Sequence, residues 1–234
     1  MQSLARGVLV RSGYRGANLG LIETQEGVVL VDTPMLPTVA QAWAATVRAH
    51  GPVKYIVNTD HLQEHSMGNR FIEGDVVAHE ETRDRMRMTE KAREQYRKYV
   101  VENDPDEIRR EEDFEPRLPN ITLFDRLTIY LGERELEFVS LPGHATNNVG
   151  LYLPDTHVLF AGDAVVNGYR PYLGLSNIRD WLMTLRAIQV MGVEWVVPGH
   201  GEPTPPEGLN GLISYLELMR DRVQTLIDEG RARD

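Results

Sequence analysis

Ile56-Val57-Asn58-Thr59-Asp60-His61 opens a pattern that recurs three more times: a short apolar run, a tight turn or small residue, then a side chain able to bind metal. The other instances are Val139-Ser140-Leu141-Pro142-Gly143-His144, Leu159-Phe160-Ala161-Gly162-Asp163 and Val196-Val197-Pro198-Gly199-His200. A buried strand that stops at glycine delivers the next side chain to the edge of a sheet, where ligands bind in α/β proteins. One such delivery is a weak signal. Four in one chain point to a single convergent site.

The residue types at these points suit a hard or borderline cation. Neutral imidazoles with Asp and Glu fit zinc, iron or manganese, whereas calcium takes oxygen alone. Of seven histidines, His65, His144 and His200 lie in these segments or just after them. His50 sits near the end of an expected helix, where a cation is favoured, and His79 and His157 read as strand-end or turn residues. The chain has no cysteine, which removes disulfides, thiolate zinc sites and a cysteine nucleophile together.

Outward from these points the chain alternates strands and helices. Val8–Val10, Leu19–Glu23, Val28–Val31, Tyr55–Val57 and Val76–Val77 read as strands, with a helix opened by Pro37 and closed at His50-Gly51. Residues 82–116 are rich in charge, with Met86, Ala92, Tyr96 and Tyr99 or Val100 at helical spacing and a stop and fresh start at Asn103-Asp104-Pro105. They read as a helical hairpin inserted between two halves. The second half offers strands at Ile121–Phe124, Leu127–Tyr130, Leu136–Leu141, Val149–Leu153, Val158–Phe160 and Trp195–Val197. It adds helices at about Asn177–Met191 and Glu207–Ile227, the last expected to bury Leu209, Leu212, Leu216, Met219, Val223 and Leu226 or Ile227. Such an order implies sheets covered by helices on their outer faces.

A chain of 234 residues fits one large α/β domain, and without a low-complexity linker residues 1–234 read as a single domain with the insertion at about 82–116. A net charge of -10 argues against a broad nucleic-acid surface, which needs clustered Lys and Arg. No run approaches the roughly 20 apolar residues of a membrane span, and Met1–Val10 lacks the apolar stretch of a signal peptide. The expectation is a cytoplasmic protein acting on a small molecule, without nucleic-acid or membrane partners and compatible with a homo-oligomer.

These segments, in this order, resemble the metallo-β-lactamase superfamily over nearly the whole chain: Val31-Asp32-Thr33, Asn58 to Asn69, Pro142-Gly143-His144, Gly162-Asp163 and Pro198-Gly199-His200. The resemblance implies an αββα sandwich, two mixed sheets packed face to face with helices outside, and a one- or two-metal site at one edge. The family motif His-x-His-x-Asp-His follows Asn-Thr. In that register Asp60 takes the first ligand position, Leu62 the second, Glu64 the acidic position and His65 the last.

The resemblance therefore implies unequal sites. The first would hold Asp60 and His144 but lacks a ligand at Leu62. The second would hold Glu64, His65 and His200, with Asp163 as bridge or added ligand. His61 stands either beside the ligands, orienting a carboxylate, or as an alternate ligand. The implied cofactor is zinc, in one tight site with room for a second ion; iron and manganese also accept this ligand set. The leading expectation is a metal-dependent hydrolase of an ester, thioester or lactone, with Glu64 and Asp163 as catalytic carboxylates. Its alternatives are an iron- or manganese-dependent redox enzyme on the same fold and a degenerate binding protein without turnover. Tyr169, Arg170 and Tyr172 form a candidate substrate loop; the competing reading is a surface loop whose tyrosines pack on the following helix.

Overall fold

The computed structural model describes residues 1–13, 16–104 and 115–231. Two sheets make its centre. The first runs in sequence order: β1 (Gln2–Ala5), β2 (Val8–Arg11), β3 (Leu19–Thr24), β4 (Gly27–Val31), β5 (Val53–Val57), β6 (Asp75–His79) and β7 (Ile121–Leu123). Pairing is antiparallel from β1 to β4 and parallel from β4 to β7. The second sheet is ordered β12-β11-β10-β9-β8: β8 (Arg126–Leu131), β9 (Arg134–Ser140), β10 (Val149–Leu153), β11 (Val158–Val166) and β12 (Trp195–His200). Only its β11–β12 pair is parallel.

Strand periodicity explains the layers, because alternate side chains face opposite sides of a sheet. In β4 every residue is buried: Val29 and Val31 enter the core between the sheets, while Val28 and Leu30 pack with Trp43 and Val47 of helix α1 (Pro37–Arg48). In β11, Val158 and Phe160 face the first sheet, whereas Leu159 and Ala161 meet helix α5 (Ile178–Val190) and helix α6 (Asn210–Asp228). The two tryptophans that anchor these outer layers, Trp43 and Trp181, are fully buried. Truncating either to alanine costs about 3–5 kcal/mol. The αββα sandwich is the fold of this chain.

Three expectations need correction. Ile121–Leu123 does not open the second half; it pairs in parallel with β6 as the last strand of the first sheet. The charged helical segment is therefore the β6–β7 crossover, since parallel strands need a long connection. It contains α3 (Glu80–Arg85) and α4 (Glu90–Asn103), and Asp104 returns to cap α1, accepting hydrogen bonds from the Thr38 amide at 2.8 Å and hydroxyl at 2.7 Å. The fresh helix expected from Pro105 falls on residues 105–114, outside the described residues. Second, a strand at Gln2–Ala5 is added to the sheet edge by pairing with β2. Third, α6 buries Leu212, Ile213 and Leu216 but leaves Val223 and Ile227 exposed, because its last turns run beyond the sheet it covers.

Candidate metal centre

The metal-capable side chains of the four repeated segments, with Glu64 and His65, arrive at one end of the sandwich. The chain leaves β5 through Asn58–Leu62 and enters α2 (Gln63–Ser66), a single turn that carries Glu64 and His65. His144 follows the Pro-Gly turn after β9, Asp163 sits within β11, and His200 closes β12. Glu64, His65, Asp163 and His200 each offer one ligand atom, and these atoms lie within 4.8 Å of one another. His65 Nε2 is 3.6 Å from Asp163 Oδ2, and His200 Nε2 is 3.5 Å from Asp163 Oδ1 and 3.4 Å from Glu64 Oε1.

The two turn glycines have steric reasons. A Cβ on Gly143 would land on Trp181, and one on Gly199 would collide with the Asp163 carboxylate. Asn18 fixes the turn of His200: its side chain donates to the Pro198 carbonyl at 2.8 Å and the Gly201 carbonyl at 2.7 Å.

His65 is oriented by Asp32, which directly follows β4 in the Val31-Asp32-Thr33 segment. Asp32 is buried with φ +57, a conformation uncommon outside glycine. Its carboxylate accepts hydrogen bonds from the Thr59 amide at 2.8 Å and hydroxyl at 2.7 Å, and from His65 Nδ1 at 2.8 Å. A histidine that donates from Nδ1 presents Nε2 as the ligand nitrogen, the usual second partner of a metal-bound imidazole. The backbone beneath is clamped too: the His65 carbonyl accepts from the Asn58 side chain at 2.8 Å and the Thr33 amide at 3.0 Å.

Asp60 is more encumbered than its motif position implies. Its Oδ1 accepts from the backbone amides of His61 and Leu62, and His61 Nδ1 stands 2.7 Å away. Its Oδ2 accepts from Asn148 at 2.8 Å and lies 3.7 Å from His144 Nε2. Asp60 and His61 stand outside the four-donor group. His61 Nδ1 lies close to Asp60 without making a hydrogen bond, and Leu62, half-buried, adds no donor. What remains at the first position is Asp60 Oδ2, His144 Nε2 and Asp163 Oδ2, the last also 3.7 Å from His144.

The electrostatics favour a cation. Burial opposes charge on the His65 ring, but Asp32 and Asp163 outweigh it and push its pKa well above the ordinary value. Burial likewise opposes charge on His200, and the Glu64 hydrogen bond and Asp163 overcome it, raising the pKa. The His200 contact holds Glu64 below its usual range; burial would raise Asp163, yet His65 keeps it low. His65 Nε2, Asp163 Oδ1 and both His144 ring nitrogens are buried without a hydrogen-bond partner among the described residues. Buried polar atoms seldom stay unpaired, so two carboxylates with unpaired imidazole nitrogens fit a divalent ion. Because a ligand imidazole must be deprotonated, raised histidine pKa values mean that protons compete with metal and affinity falls as pH falls. Metal affinity measured over a pH series should therefore weaken as the pH is lowered through the titration of these imidazoles; an affinity independent of pH over the acidic range would contradict imidazole ligation.

Beside this group opens a cleft of about 430 Å³ lined by Leu62, Glu64, Asp163, Val166 and His200, with Tyr169, Arg170 and Tyr172 opposite. Tyr169 and Tyr172 are exposed rather than packed away on α5, and their rings stand 6.1 Å from His200 and 6.3 Å from His144.

The fold thus gathers candidate ligands from α2, β11 and β12 at one end of an αββα sandwich. This chain belongs to the metallo-beta-lactamase superfamily, whose family model matches residues 13–200. It is similar to the acyl-coenzyme A thioesterase MBLAC2 of Bos taurus, 37% identical over 87 residues that cover 35% of this chain and 31% of that protein. The match thus spans about a third of the relative's length. A longer match is to the 2,4-dinitroanisole O-demethylase subunit alpha of Nocardioides sp. (strain JS1661), 26% identical over 76% of this chain and 51% of that protein. Among solved structures, a metallo-beta-lactamase family protein from Thermus thermophilus superposes with a TM-score of 0.72 at 23% identity, covering 97% of this chain and 84% of that one.

Proposed function

We propose that this protein is a metal-dependent hydrolase of an ester or thioester, with one tightly held ion. The observation that carries the reading is the meeting of four donors from α2, β11 and β12 at the floor of an open cleft. Two of the relatives, the acyl-coenzyme A thioesterase MBLAC2 and an atrochrysone carboxyl ACP thioesterase from Aspergillus fumigatus, support thioesters as the substrate class.

Glu64, His65, Asp163 and His200 would hold the ion, and zinc suits two imidazoles with two carboxylates. Bound there, a divalent ion supplies Lewis acidity that polarises a carbonyl and acidifies water. The chain's own residues do the rest. Glu64 and Asp163 are both held in the ionised form, so each can balance positive charge or accept a proton. Of the two, Glu64 is the more open to the cleft, its side chain 34% exposed against 6% for Asp163. Tyr169 and Tyr172 offer faces for stacking, and Arg170 offers a guanidinium for an anionic part of the substrate.

Because Leu62 supplies no ligand and Asp60 is engaged by its neighbours, elemental analysis should find one ion retained per chain, with any second lost on dialysis. Two equally retained ions would overturn that assignment. Turnover is readable with a thiol reagent, since a chain with no cysteine contributes no background. Acyl thioesters should release thiol, a chelator should stop the reaction and added zinc should restore it. Metal-loaded protein that leaves esters and thioesters alike intact would sink the hydrolase reading.

A further inference from the structure

Leu62 and Glu64 line two cavities at once. One is the metal cleft; the other, about 410 Å³, lies between the α2 segment and the turn joining α3 to α4. Leu62, Met67, Met86, Met88 and Ala92 give this second cavity an apolar wall, with Met67 and Met86 only 3% exposed. Its guanidinium groups already have partners. Arg85 donates to Glu81 at 3.1 Å and to Thr146 at 3.2 Å, and Arg87 lies 3.7 Å from Asp84. A charged ligand would therefore compete with existing pairs, whereas an apolar chain meets thioether side chains that adapt to its shape.

We propose that this cavity receives the acyl chain of the substrate, with the scissile carbonyl beside Glu64 and the leaving portion along Tyr169 and Tyr172. The assignment rests on the hydrolase reading above. In the hydrolysis of an acyl thioester, water adds its oxygen to the acyl carbon, the C–S bond breaks, and the thiolate leaves to take up a proton. The acyl carbon would then lie beside Leu62 and Glu64, the two residues common to both linings. Leucine at a motif position that otherwise carries a ligand gives both cavities an apolar side chain, where an imidazole would place a polar ring.

The test is a chain-length profile on the metal-loaded protein with acetyl, butanoyl, hexanoyl and octanoyl thioesters. kcat/KM should rise about fourfold per added methylene until the cavity fills. Ala92→Phe, which fills the cavity from α4, should lower the octanoyl-to-acetyl ratio about tenfold or more. Met88→Gln, a less bulky change that makes the wall polar, should lower it in the same direction. A flat profile in the unaltered protein, or a ratio unchanged in both variants, overturns the assignment. Octanoate binding, followed by calorimetry, separates the two readings should no thioester be turned over. Binding lost in Ala92→Phe keeps the cavity's ligand class and removes the hydrolase; absence of binding to the unaltered protein overturns the cavity.

Discussion

His200→Ala and His65→Ala should each release the tightly held ion and lower turnover by about 10³-fold or more. The ion's stabilisation of developing charge is worth several kcal/mol, and each factor of ten in rate corresponds to about 1.4 kcal/mol. Both substitutions remove an imidazole whose Nε2 lies 3.6 Å or less from a carboxylate oxygen of the cluster. Removing His65 also strands Asp32, a carboxylate buried with no solvent to take the imidazole's place. The controls are His50→Ala and His157→Ala. His50 contacts Glu23 at the surface and His157 lies against Tyr152, both apart from the cluster, so these variants should keep metal and activity. Metal content by elemental analysis decides the matter. Retained metal in both His200→Ala and His65→Ala would falsify the site.

The second large effect is expected at Asp32. Asp32→Ala leaves His65 Nδ1 and the Thr59 amide and hydroxyl without their acceptor, all in a buried setting. Breaking a buried charged pair in this way costs about 3–5 kcal/mol of stability. Loss of the carboxylate that orients a ligating histidine weakens metal binding about 10–100-fold. Asp32→Asn keeps one acceptor oxygen and should recover much of the fold and part of the affinity. The measurements are a denaturation midpoint and a metal dissociation constant from competition with a chromophoric chelator. A variant that loses stability yet binds metal as tightly as the parent would reduce Asp32 to holding the loop.

What could be read in the sequence was whatever local chemistry fixes. Pro-Gly-His marks a place where a metal-capable side chain reaches the end of the sandwich, after β9 at His144 and on the last residue of β12 at His200, and the glycine is forced at both: Gly199 has no space for a Cβ beside Asp163, and Gly143 none beside Trp181. The continuous apolar runs of β4 and β11 read as doubly covered strands because that is where such runs are stable. Long-range pairing left no local trace. Ile121–Leu123 carries a strand pattern, but nothing in its residues says which sheet it joins; that is decided by the crossover of α3 and α4 returning it to β6. The role of Asp32 was not legible for the same reason. Its partners lie 27 and 33 residues away, and only the folded chain brings Thr59 and His65 to it. A clue was available in an aspartate at the end of an all-apolar strand, where an unpaired carboxylate would be costly. The burial of α6 was overestimated because an amphipathic stripe shows which face is apolar, not how far the surface beneath it extends.

The division of ligands between the sheets has a thermodynamic consequence. Glu64 and His65 follow a strand of the first sheet, whereas Asp163 and His200 belong to the second. An ion held by all four would be a further cross-brace between two layers that meet through apolar side chains and a few hydrogen bonds at this end, such as Asn18 to Pro198 and Asn148 to Asp60. Anything that binds only the folded state adds RT ln(1 + [L]/Kd) to its stability, about 4 kcal/mol at a thousandfold excess over Kd. The midpoint of thermal unfolding should therefore climb with free metal concentration, and a chelator should loosen the whole sandwich. An ion bound there would be both the proposed reagent and the rivet that keeps the two halves of its own binding site in register.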